Sequence, residues 1–425
     1  MSDESKLGDD DGPSAQNWRK TVSVASKFDI GHVLGITALL APIIGFIAPY
    51  GLAPLLAVAA LAALTLGRLR HDRWPSPPAG LTVLIAILIG WAMLSALWSI
   101  NSAGTLGKLP RFALLLMAGL AIVDAALRLS PDQCRMVARQ LTIGLAAGIV
   151  WMLLDRLTGG YVRQIITGRV LDDVAFLNVY SGSATLTVLF VWPLMVRAAR
   201  IHVLAPVALW LLGLGVVLSL ISSAAVLAIV LGGAGFVLVA LAPRIGGAVI
   251  AALVALSVLV APMLPPSQKQ AARLLETYDE LPRSGYHRLL IWRFVADRIS
   301  ERPFLGWGFN SSRDIPGREN QLDENETALP LHPHNAALQW WLELGVPGAI
   351  LGAALIIWLM RAIGRARASI VAKASAASLV LSTVTVSFLS YGIWQSWWLA
   401  AMWLAGAFMV AVMRAAPAES EPEST

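Results

Sequence analysis

The chain has 425 residues, of which 57% are apolar and only 14% are charged. Because about a quarter of the residues in an ordinary soluble domain are charged, this composition excludes that class and indicates a membrane protein. The net charge of +6 does not indicate nucleic-acid binding, since the basic residues are scattered between apolar runs and form no single patch. The single cysteine, Cys134, excludes an intramolecular disulfide.

Apolar runs of helical length recur along the whole chain. A helix needs about 20 apolar residues to cross a bilayer, and about twelve such runs are present. The predicted fold class is therefore all-α integral membrane, with nine spans in residues 30–264 and three in residues 335–414. The polar ends, residues 1–29 and 415–425, are predicted to be disordered tails. The predicted spans are Ile30–Ala48, Gly51–Leu66, Gly80–Trp98, Phe112–Leu127, Met136–Leu154, Val174–Val196, Val203–Leu220, Ser223–Leu241, Ile245–Leu264, Asn335–Met360, Ala372–Tyr391 and Ile393–Met413.

The distribution of Lys and Arg predicts the orientation in the membrane. If the amino terminus is cytoplasmic, more than half of the 32 basic residues fall in cytoplasmic loops and tails. Most of the others lie in the loop at residues 265–334, and loops of this length follow the positive-inside rule only weakly. Both termini are therefore predicted to be cytoplasmic, and the polar segments at residues 155–173 and 265–334 are predicted to face the other side.

The loop at residues 265–334 is predicted to carry the chemistry. Within it, apolar residues recur at helical spacing at Leu289, Trp292, Ala296 and Ile299. This spacing predicts an amphipathic helix that either lies on the membrane surface or folds back over the transmembrane bundle. Asn335 is predicted to be the N-cap of the tenth span, whose N-terminus would favour an anion.

Four motif segments stand out. Three lie in or next to the loop and read Tyr286-His-Arg-Leu-Leu-Ile-Trp-Arg-Phe, Arg302-Pro-Phe-Leu-Gly-Trp-Gly-Phe-Asn, and His332-Pro-His-Asn followed nine residues later by Gly345-x-x-Gly348. The fourth, Leu94-Ser-Ala-Leu-Trp-Ser-Ile-Asn-Ser, begins within the third span. Together they resemble the O-antigen ligase and polymerase superfamily. Its signature is a His, then Asn, Ser or Gln, then nine residues and Gly-x-x-Gly, which His334, Asn335, Gly345 and Gly348 match.

The resemblance implies a multi-pass enzyme of the bacterial inner membrane, similar to GT-C type membrane glycosyltransferases, with its active site on the periplasmic side. The implied reaction is O-antigen ligase-like: a glycan passes from a polyprenyl-diphosphate carrier to a sugar hydroxyl of lipid A core. The expected partners are this donor, the lipid A core or glycan acceptor, and membrane lipids, with no nucleic acid, metal or cofactor.

The resemblance also implies roles for two residues. Arg288 is expected to hold the diphosphate leaving group, because a guanidinium group forms paired hydrogen bonds with phosphate oxygens. His334 is expected to deprotonate the acceptor hydroxyl as general base, because an imidazole titrates near neutral pH. A single attack on the anomeric carbon would invert its configuration.

One position departs from the family pattern. Family members often carry an Arg soon after a Ser at the outer start of the eighth span, whereas this chain reads Leu220-Ile-Ser-Ser-Ala. Ala224 therefore stands where an Arg is expected. Either Arg163, Arg169 or Arg293 supplies the second phosphate contact, or the chain is a weakened or altered version of the family.

Other candidates for substrate binding surround the signature. Asn335 belongs to the signature itself. His332 either takes part directly or shapes the turn at Pro333. Glu343 should lie about 13 Å deeper than His334 and either forms a structural ion pair or takes part in the reaction. Trp340 either stacks on a sugar ring or belongs to an interfacial aromatic belt.

Two other functions stay open. A polymerase of lipid-linked repeats, for O-antigen, capsule or exopolysaccharide, would carry the same motif. A membrane transporter or lipid flippase would need basic residues along a path through the bilayer, yet Lys and Arg are largely absent from the middles of the spans. The adjacent Asp172 and Asp173 have no further ligands at a fixed spacing, so no metal site is predicted.

Overall fold

The computed structural model describes residues 28–71, 74–168, 173–220, 222–267, 270, 273, 283–323 and 326–415. Most of both predicted tails lies outside these residues. The described residues form fourteen α-helices, four short 3-10 helices and one antiparallel hairpin of β1 (Gln321–Asp323) and β2 (Glu326–Thr327). The α-helices are α1 (Ile30–Ile47), α2 (Leu52–His71), α3 (Ala79–Leu94), α4 (Ser102–Leu127), α5 (Pro131–Leu157), α6 (Tyr161–Thr167), α7 (Asp173–Ala198), α8 (Ala205–Ser219), α9 (Ser223–Leu241), α10 (Gly246–Val260), α11 (Arg283–Glu301), α12 (Ala336–Arg365), α13 (Ile370–Leu389) and α14 (Ser396–Ala415).

Eleven of the described helices are long and apolar enough to cross a membrane. They are all of the α-helices except α6, α8 and α11. The predicted span Val203–Leu220 corresponds to α8, which is apolar but has only 15 residues. The prediction of an all-α integral membrane protein is confirmed.

Small residues let the helices approach each other closely, as is common in membrane bundles. A Cβ atom on Gly144 of α5 would lie 2.2 Å from the carbonyl oxygen of Leu39 on α1. Between α9 and α13, the Ser382 hydroxyl donates to the carbonyl oxygen of Ala228 (2.8 Å). Helix α7 passes through the middle of the bundle, where most of its residues from 179 to 198 are buried.

The amphipathic helix in the loop is confirmed as α11. Ile291, Val295 and Ile299 form its buried stripe, and they pack with Leu338 and Leu342 of α12. The helix therefore folds back over the transmembrane bundle. The β1–β2 hairpin was not predicted. We call the end of the bundle that carries α11 and the hairpin the loop face.

The tenth predicted span is α12, and its predicted N-cap is confirmed. The Asn335 side-chain oxygen accepts a hydrogen bond from the backbone N–H of Leu338 (3.1 Å). The helix is interrupted at Gly345, whose φ of 66° and ψ of −158° are not helical. This break lies within the signature and shapes the candidate site.

Candidate active site

The segment that begins at Leu94 fixes the position of the Gly-Trp-Gly loop. Three hydrogen bonds join the two: Trp98 Nε1 to Leu305 O (3.0 Å), Ile100 N to Trp307 O (3.2 Å) and Phe309 N to Ser95 Oγ (2.9 Å). Just after the segment, Thr105 Oγ1 of α4 donates to Phe309 O (2.8 Å). Gly308 is required at this junction, because a Cβ atom there would lie 2.4 Å from Ser99 Cβ. Two of the family-like segments thus form one scaffold.

The break at Gly345 lets the same loop bond to α12. Pro347 has no N–H, so the carbonyl oxygen of Glu343 lacks its usual donor within the helix. The backbone N–H of Gly308 donates to that oxygen instead (2.9 Å). Trp307 N likewise donates to Leu342 O (2.8 Å). The break therefore exchanges bonds within the helix for bonds to the loop.

Both signature glycines are needed sterically. A Cβ atom on Gly345 would lie 2.3 Å from the carbonyl oxygen of Phe304, and its φ of 66° disfavours any other residue. A Cβ atom on Gly348 would lie 2.4 Å from Leu344 Cβ. Gly345 thus allows the loop to dock, and Gly348 allows the close approach of Leu344 across the helix break.

Glu343 joins three segments at the centre of this scaffold. Its side chain is 0% exposed. Its carboxylate accepts hydrogen bonds from Asn310 N (2.5 Å), Ser312 Oγ, Gln339 Nε2 (2.9 Å) and Trp394 Nε1 (2.7 Å). Among the described residues, no Lys, Arg or His forms an ion pair with it. Of the two alternatives for Glu343, the structural ion pair is not found among the described residues, where neutral donors satisfy the carboxylate. Its participation in a reaction stays a prediction.

Residues 390–395, the connector between α13 and α14, bring the candidate residues together. Trp394 of this connector bonds to Glu343, and Ile393 N donates to Gln339 Oε1 (3.0 Å). The carbonyl oxygen of Ser390 lies 2.7 Å from Nδ1 of His334. The connector therefore contacts His334, just before α12, and two residues of α12 that lie one turn apart.

The His334 ring is oriented by its bond to Ser390. A carbonyl oxygen can only accept a hydrogen bond, so His334 carries a proton on Nδ1. In the neutral ring this tautomer leaves the lone pair on Nε2. The residue has a φ of 53° and is half-buried. This geometry suits a general base that accepts a proton at Nε2.

His332 packs against His334, with ring centroids 4.2 Å apart. It is 6% exposed, and its Nδ1 accepts a hydrogen bond from the backbone N–H of His334 (3.2 Å). Burial lowers the pKa of His332 to about 3, and the charges of His334 and Arg313 act in the same direction. His332 is therefore neutral at physiological pH, and it supports the backbone at His334. Its direct participation stays a prediction.

Arg288, half-buried on α11, lies within electrostatic range of Tyr391 in the connector. Tyr391 is the neighbour of Ser390 in the chain, and burial lowers the pKa of Arg288. Arginine stays protonated despite such a shift. No carboxylate of the described residues forms an ion pair with Arg288. Ser390 and Tyr391 thus link His334 and Arg288 to one region of the loop face.

Tyr391 also contacts the half of α7 that is nearer to the loop face. Burial raises the pKa of the Tyr391 phenol, so it stays protonated. Its oxygen lies 3.4 Å from Thr185 Oγ1, and it also hydrogen-bonds Ser181. Ser181 Oγ lies 3.1 Å from Ser222 Oγ, directly before α9. Ala224, the departure from the family pattern, is the buried second residue of α9, so the position of the expected Arg belongs to this region.

The other predicted arginines differ from Arg288. Arg163 is 3% exposed; it bonds to Asp155 (2.9 Å) and to the carbonyl oxygens of Phe46 (3.0 Å) and Ile47 (2.6 Å). It therefore ties α1, α5 and α6 together, and we do not propose it further as a phosphate ligand.

Arg293 pairs with Asp297 on the exposed side of α11 (2.6 Å). At 100° per residue, it points about 140° away from Arg288. We therefore do not propose that it joins Arg288 on one diphosphate. Arg169 lies outside the described residues.

Trp340 belongs to a buried aromatic cluster. It is 8% exposed, and its ring lies 5.0 Å from that of Trp394, which also packs on Phe112 and Phe309. In this position Trp340 contributes packing between α12, α4 and the connector. A contact between Trp340 and a sugar stays a prediction.

Sequence reasoning missed Tyr391, Gln395 and Arg313. The Gln395 side-chain amide lies 3.1 Å from His332 Nε2, and the charge of Arg313 acts on His332. The available signal was the polar break at Ser390 and Gln395 between two apolar runs.

Among the described residues, no group of three His, Cys, Asp or Glu side chains could hold a metal ion.

Comparisons with known proteins cover residues of this candidate site. The O-antigen ligase family model matches residues 207–353, which include Arg288, His334 and both signature glycines. Three relatives from Rickettsia carry the name "putative polysaccharide ligase". The R. conorii protein is 28% identical over 343 residues (78% of this chain, 79% of the relative). The R. felis protein is 26% identical over 401 residues (87% and 94%), and the R. typhi protein is 27% identical over 340 residues (77% and 78%). These matches support an O-antigen ligase-like family for this chain.

Proposed function

We propose that this protein transfers a glycan from a polyprenyl-diphosphate carrier to a sugar hydroxyl of lipid A core. The reaction takes place at the loop face, which we assign to the periplasmic side of the bacterial inner membrane. His334 acts as general base and Arg288 holds the diphosphate. The transfer is independent of metal ions and inverts the anomeric carbon.

The observation that carries the proposal is the orientation of His334. The bond from Nδ1 to Ser390 O (2.7 Å) puts the basic lone pair on Nε2. The acceptor hydroxyl loses its proton to Nε2 as its oxygen attacks the anomeric carbon, and the diphosphate leaves with the electrons of the broken C–O bond. One displacement of this kind inverts the configuration. A positioned base typically contributes about 10²–10⁴-fold to the rate.

Arg288 supports the second half of the proposal. Negative charge grows on the diphosphate as the C–O bond breaks, and a fixed guanidinium group stabilises that charge. Since Arg288 is half-buried and no described carboxylate pairs with it, its charge is available to an anion. Burial strengthens the attraction, because the surroundings screen it less than water does.

The test is a transfer assay with the purified full-length protein in detergent. The donor is a polyprenyl-diphosphate-linked glycan, the acceptor is lipid A core, and parallel reactions contain a metal chelator. We expect the glycan on lipid A core with equal yield in both conditions. Product that disappears with the chelator, and returns when a divalent metal is added, would contradict metal independence.

The acceptor distinguishes the proposal from its nearest alternative. A polymerase of lipid-linked repeats would lengthen the donor glycan and leave lipid A core unmodified. That result would move the protein to the polymerase branch while keeping the roles of His334 and Arg288. Movement of the intact donor across a vesicle membrane without transfer would instead indicate a flippase.

A further inference from the structure

A second cluster of arginines lies at the end of the bundle opposite to the loop face. Helix α7 connects the two ends: Ser181 belongs to the Tyr391 region, and Arg197 lies in its last turn. Sixteen residues of helix separate them by about 24 Å. The arginine cluster is therefore separate from the candidate active site.

The cluster lines a cavity of about 120 Å³ between α5, the end of α7 and the end of α14. Since one water molecule needs only about 10–15 Å³ in the same measure, there is room for a phosphate group. The lining residues are Arg135, Ala138, Arg197, Arg200, Ile201, Val412 and Ala415. Three guanidinium groups thus share one small space with four apolar residues.

The three arginines repel each other in this cavity. Partial burial lowers the pKa of Arg200, and the charges of Arg135 and Arg197 lower it further. Among the described residues, Asp132 is the carboxylate that pairs with the cluster, through Arg135, and it is 85% exposed. Arg200 also donates to the carbonyl oxygen of Ala415, which holds it at the cavity. Converging positive charges of this kind favour an anion between them.

We propose that this cavity binds the phosphate group of an anionic phospholipid headgroup. Its position at the helix ends corresponds to the depth at which headgroups meet a transmembrane bundle. The apolar part of the lining also favours a lipid over a soluble anion. Ile201, which is 75% exposed beside Arg200, is available to a glycerol backbone or an acyl chain.

The test is native mass spectrometry of the full-length protein in detergent, with phosphatidylglycerol or phosphatidylcholine of identical acyl chains. The wild type should bind the anionic lipid more tightly than the zwitterionic lipid. The double substitution Arg135→Gln with Arg197→Gln should weaken phosphatidylglycerol binding by roughly tenfold and leave phosphatidylcholine binding unchanged. Arg200 is retained in this variant because of its bond to α14.

Arg244→Gln is the matched control. Arg244 is exposed and follows α9, at the same end of the bundle, but it does not line the cavity. The Arg244→Gln variant should leave the binding of both lipids unchanged. Equal binding of the two lipids by the wild type, or equal losses in the control and the double variant, would overturn the proposal. The lipid comparison on the wild type holds even if the double variant does not fold.

Two further measurements test whether something other than a lipid occupies the cavity. Displacement of phosphatidylglycerol by inorganic phosphate at equal concentration would assign the cavity to a soluble anion and overturn the lipid source. Residues 416–425 include Glu419, Glu421 and Glu423 and directly follow the cavity residue Ala415. Binding of phosphatidylglycerol only by a chain ending at Ala415 would show that these residues compete for the cavity, and would also overturn the proposal.

Discussion

His334 and Glu343 lie nine positions apart in the chain, yet their surroundings differ completely. Glu343 is fully buried, and four neutral donors satisfy its carboxylate. His334 is half-buried, and its Nδ1 bond to Ser390 orients the ring for chemistry at Nε2. The comparison separates the two halves of the signature. The histidine end is suited to proton transfer, and Gly345 at the glycine end allows the loop at residues 303–312 to dock on α12.

The arginines show the same division. Arg163 bonds to Asp155 and to two helix-end carbonyl groups, whereas Arg288 has no ion-pair partner among the described carboxylates. Residue type alone does not distinguish them. Because of their surroundings, Arg163 serves the scaffold, whereas the charge of Arg288 is available to an anionic substrate.

Replacing Arg288 should have the largest effect of the variants that test this division. Arg288→Ala should lower kcat/KM for glycan transfer by about 10²–10³-fold, because it removes a fixed charge from the leaving group. Arg288→Lys should recover part of this loss, since it keeps the charge but not the paired donors. Arg293→Ala is the control, because Arg293 pairs with Asp297 on another side of α11. Losses of equal size for Arg288→Ala and Arg293→Ala would remove the distinction.

Gly345→Ala tests the scaffold. The added Cβ would meet the carbonyl oxygen of Phe304, and the backbone conformation is one that only glycine adopts readily. The expected loss is about 3 kcal/mol of stability, measured as a lower Tm of the purified protein. Gly364→Ala on the same helix should be neutral or slightly stabilising, because nothing lies within 4 Å of its Cβ position. An unchanged Tm for Gly345→Ala would contradict the docking role.

Glu343→Gln should cost about 2 kcal/mol, because the amide replaces one acceptor oxygen with a donor that faces other donors. Proteolysis of the loop at residues 303–312 should become faster, since this carboxylate accepts bonds from Asn310 and Ser312. Glu301→Gln is the matched control: its partly exposed pair with Arg298 should contribute less than about 1 kcal/mol. If the two variants unfold at the same temperature, Glu343 does not hold the junction.

The burial of His332 predicts a smaller effect, a dependence of protein stability on pH. Its pKa is about 3 in the folded protein, against about 6.5 when unfolded. Between these values the unfolded chain binds more protons, so stability falls as the pH is lowered through this window. Acidification from pH 7 to pH 5 should cost about 2 kcal/mol through this residue. Thermal melts of His332→Gln should depend less on pH than the wild type. The exposed His202→Gln should keep the wild-type dependence, and a flat wild-type profile would argue against the buried neutral histidine.

Local patterns were enough to predict much of the fold. Apolar runs predicted the spanning helices, helical spacing predicted α11, and the residue type of Asn335 predicted the N-cap of α12. The contacts that build the site were not predictable in this way, because they join distant segments. Trp98 bonds to a residue 207 positions away, and Trp91 Nε1 bonds to Leu344 O across 253 positions.

The same limit explains why the surroundings of Glu343 were not predictable. A charged residue within a span suggested an ion pair, but the donors that satisfy it come from the loop, α12 and the connector. Only the folded chain shows that Pro347 and Gly345 open α12 to receive that loop. The resemblance identified the residues of the signature, and the structure assigned its glycines to the scaffold.

The central claim is that His334 is the base, and single-turnover glycan transfer by purified His334→Ala tests it most directly. His202→Ala, at an exposed histidine outside the site, is prepared in parallel. We predict that His334→Ala loses transfer by at least about 10²-fold while its membrane insertion and helix content match the wild type. Transfer by a folded His334→Ala protein at the wild-type rate would contradict the account.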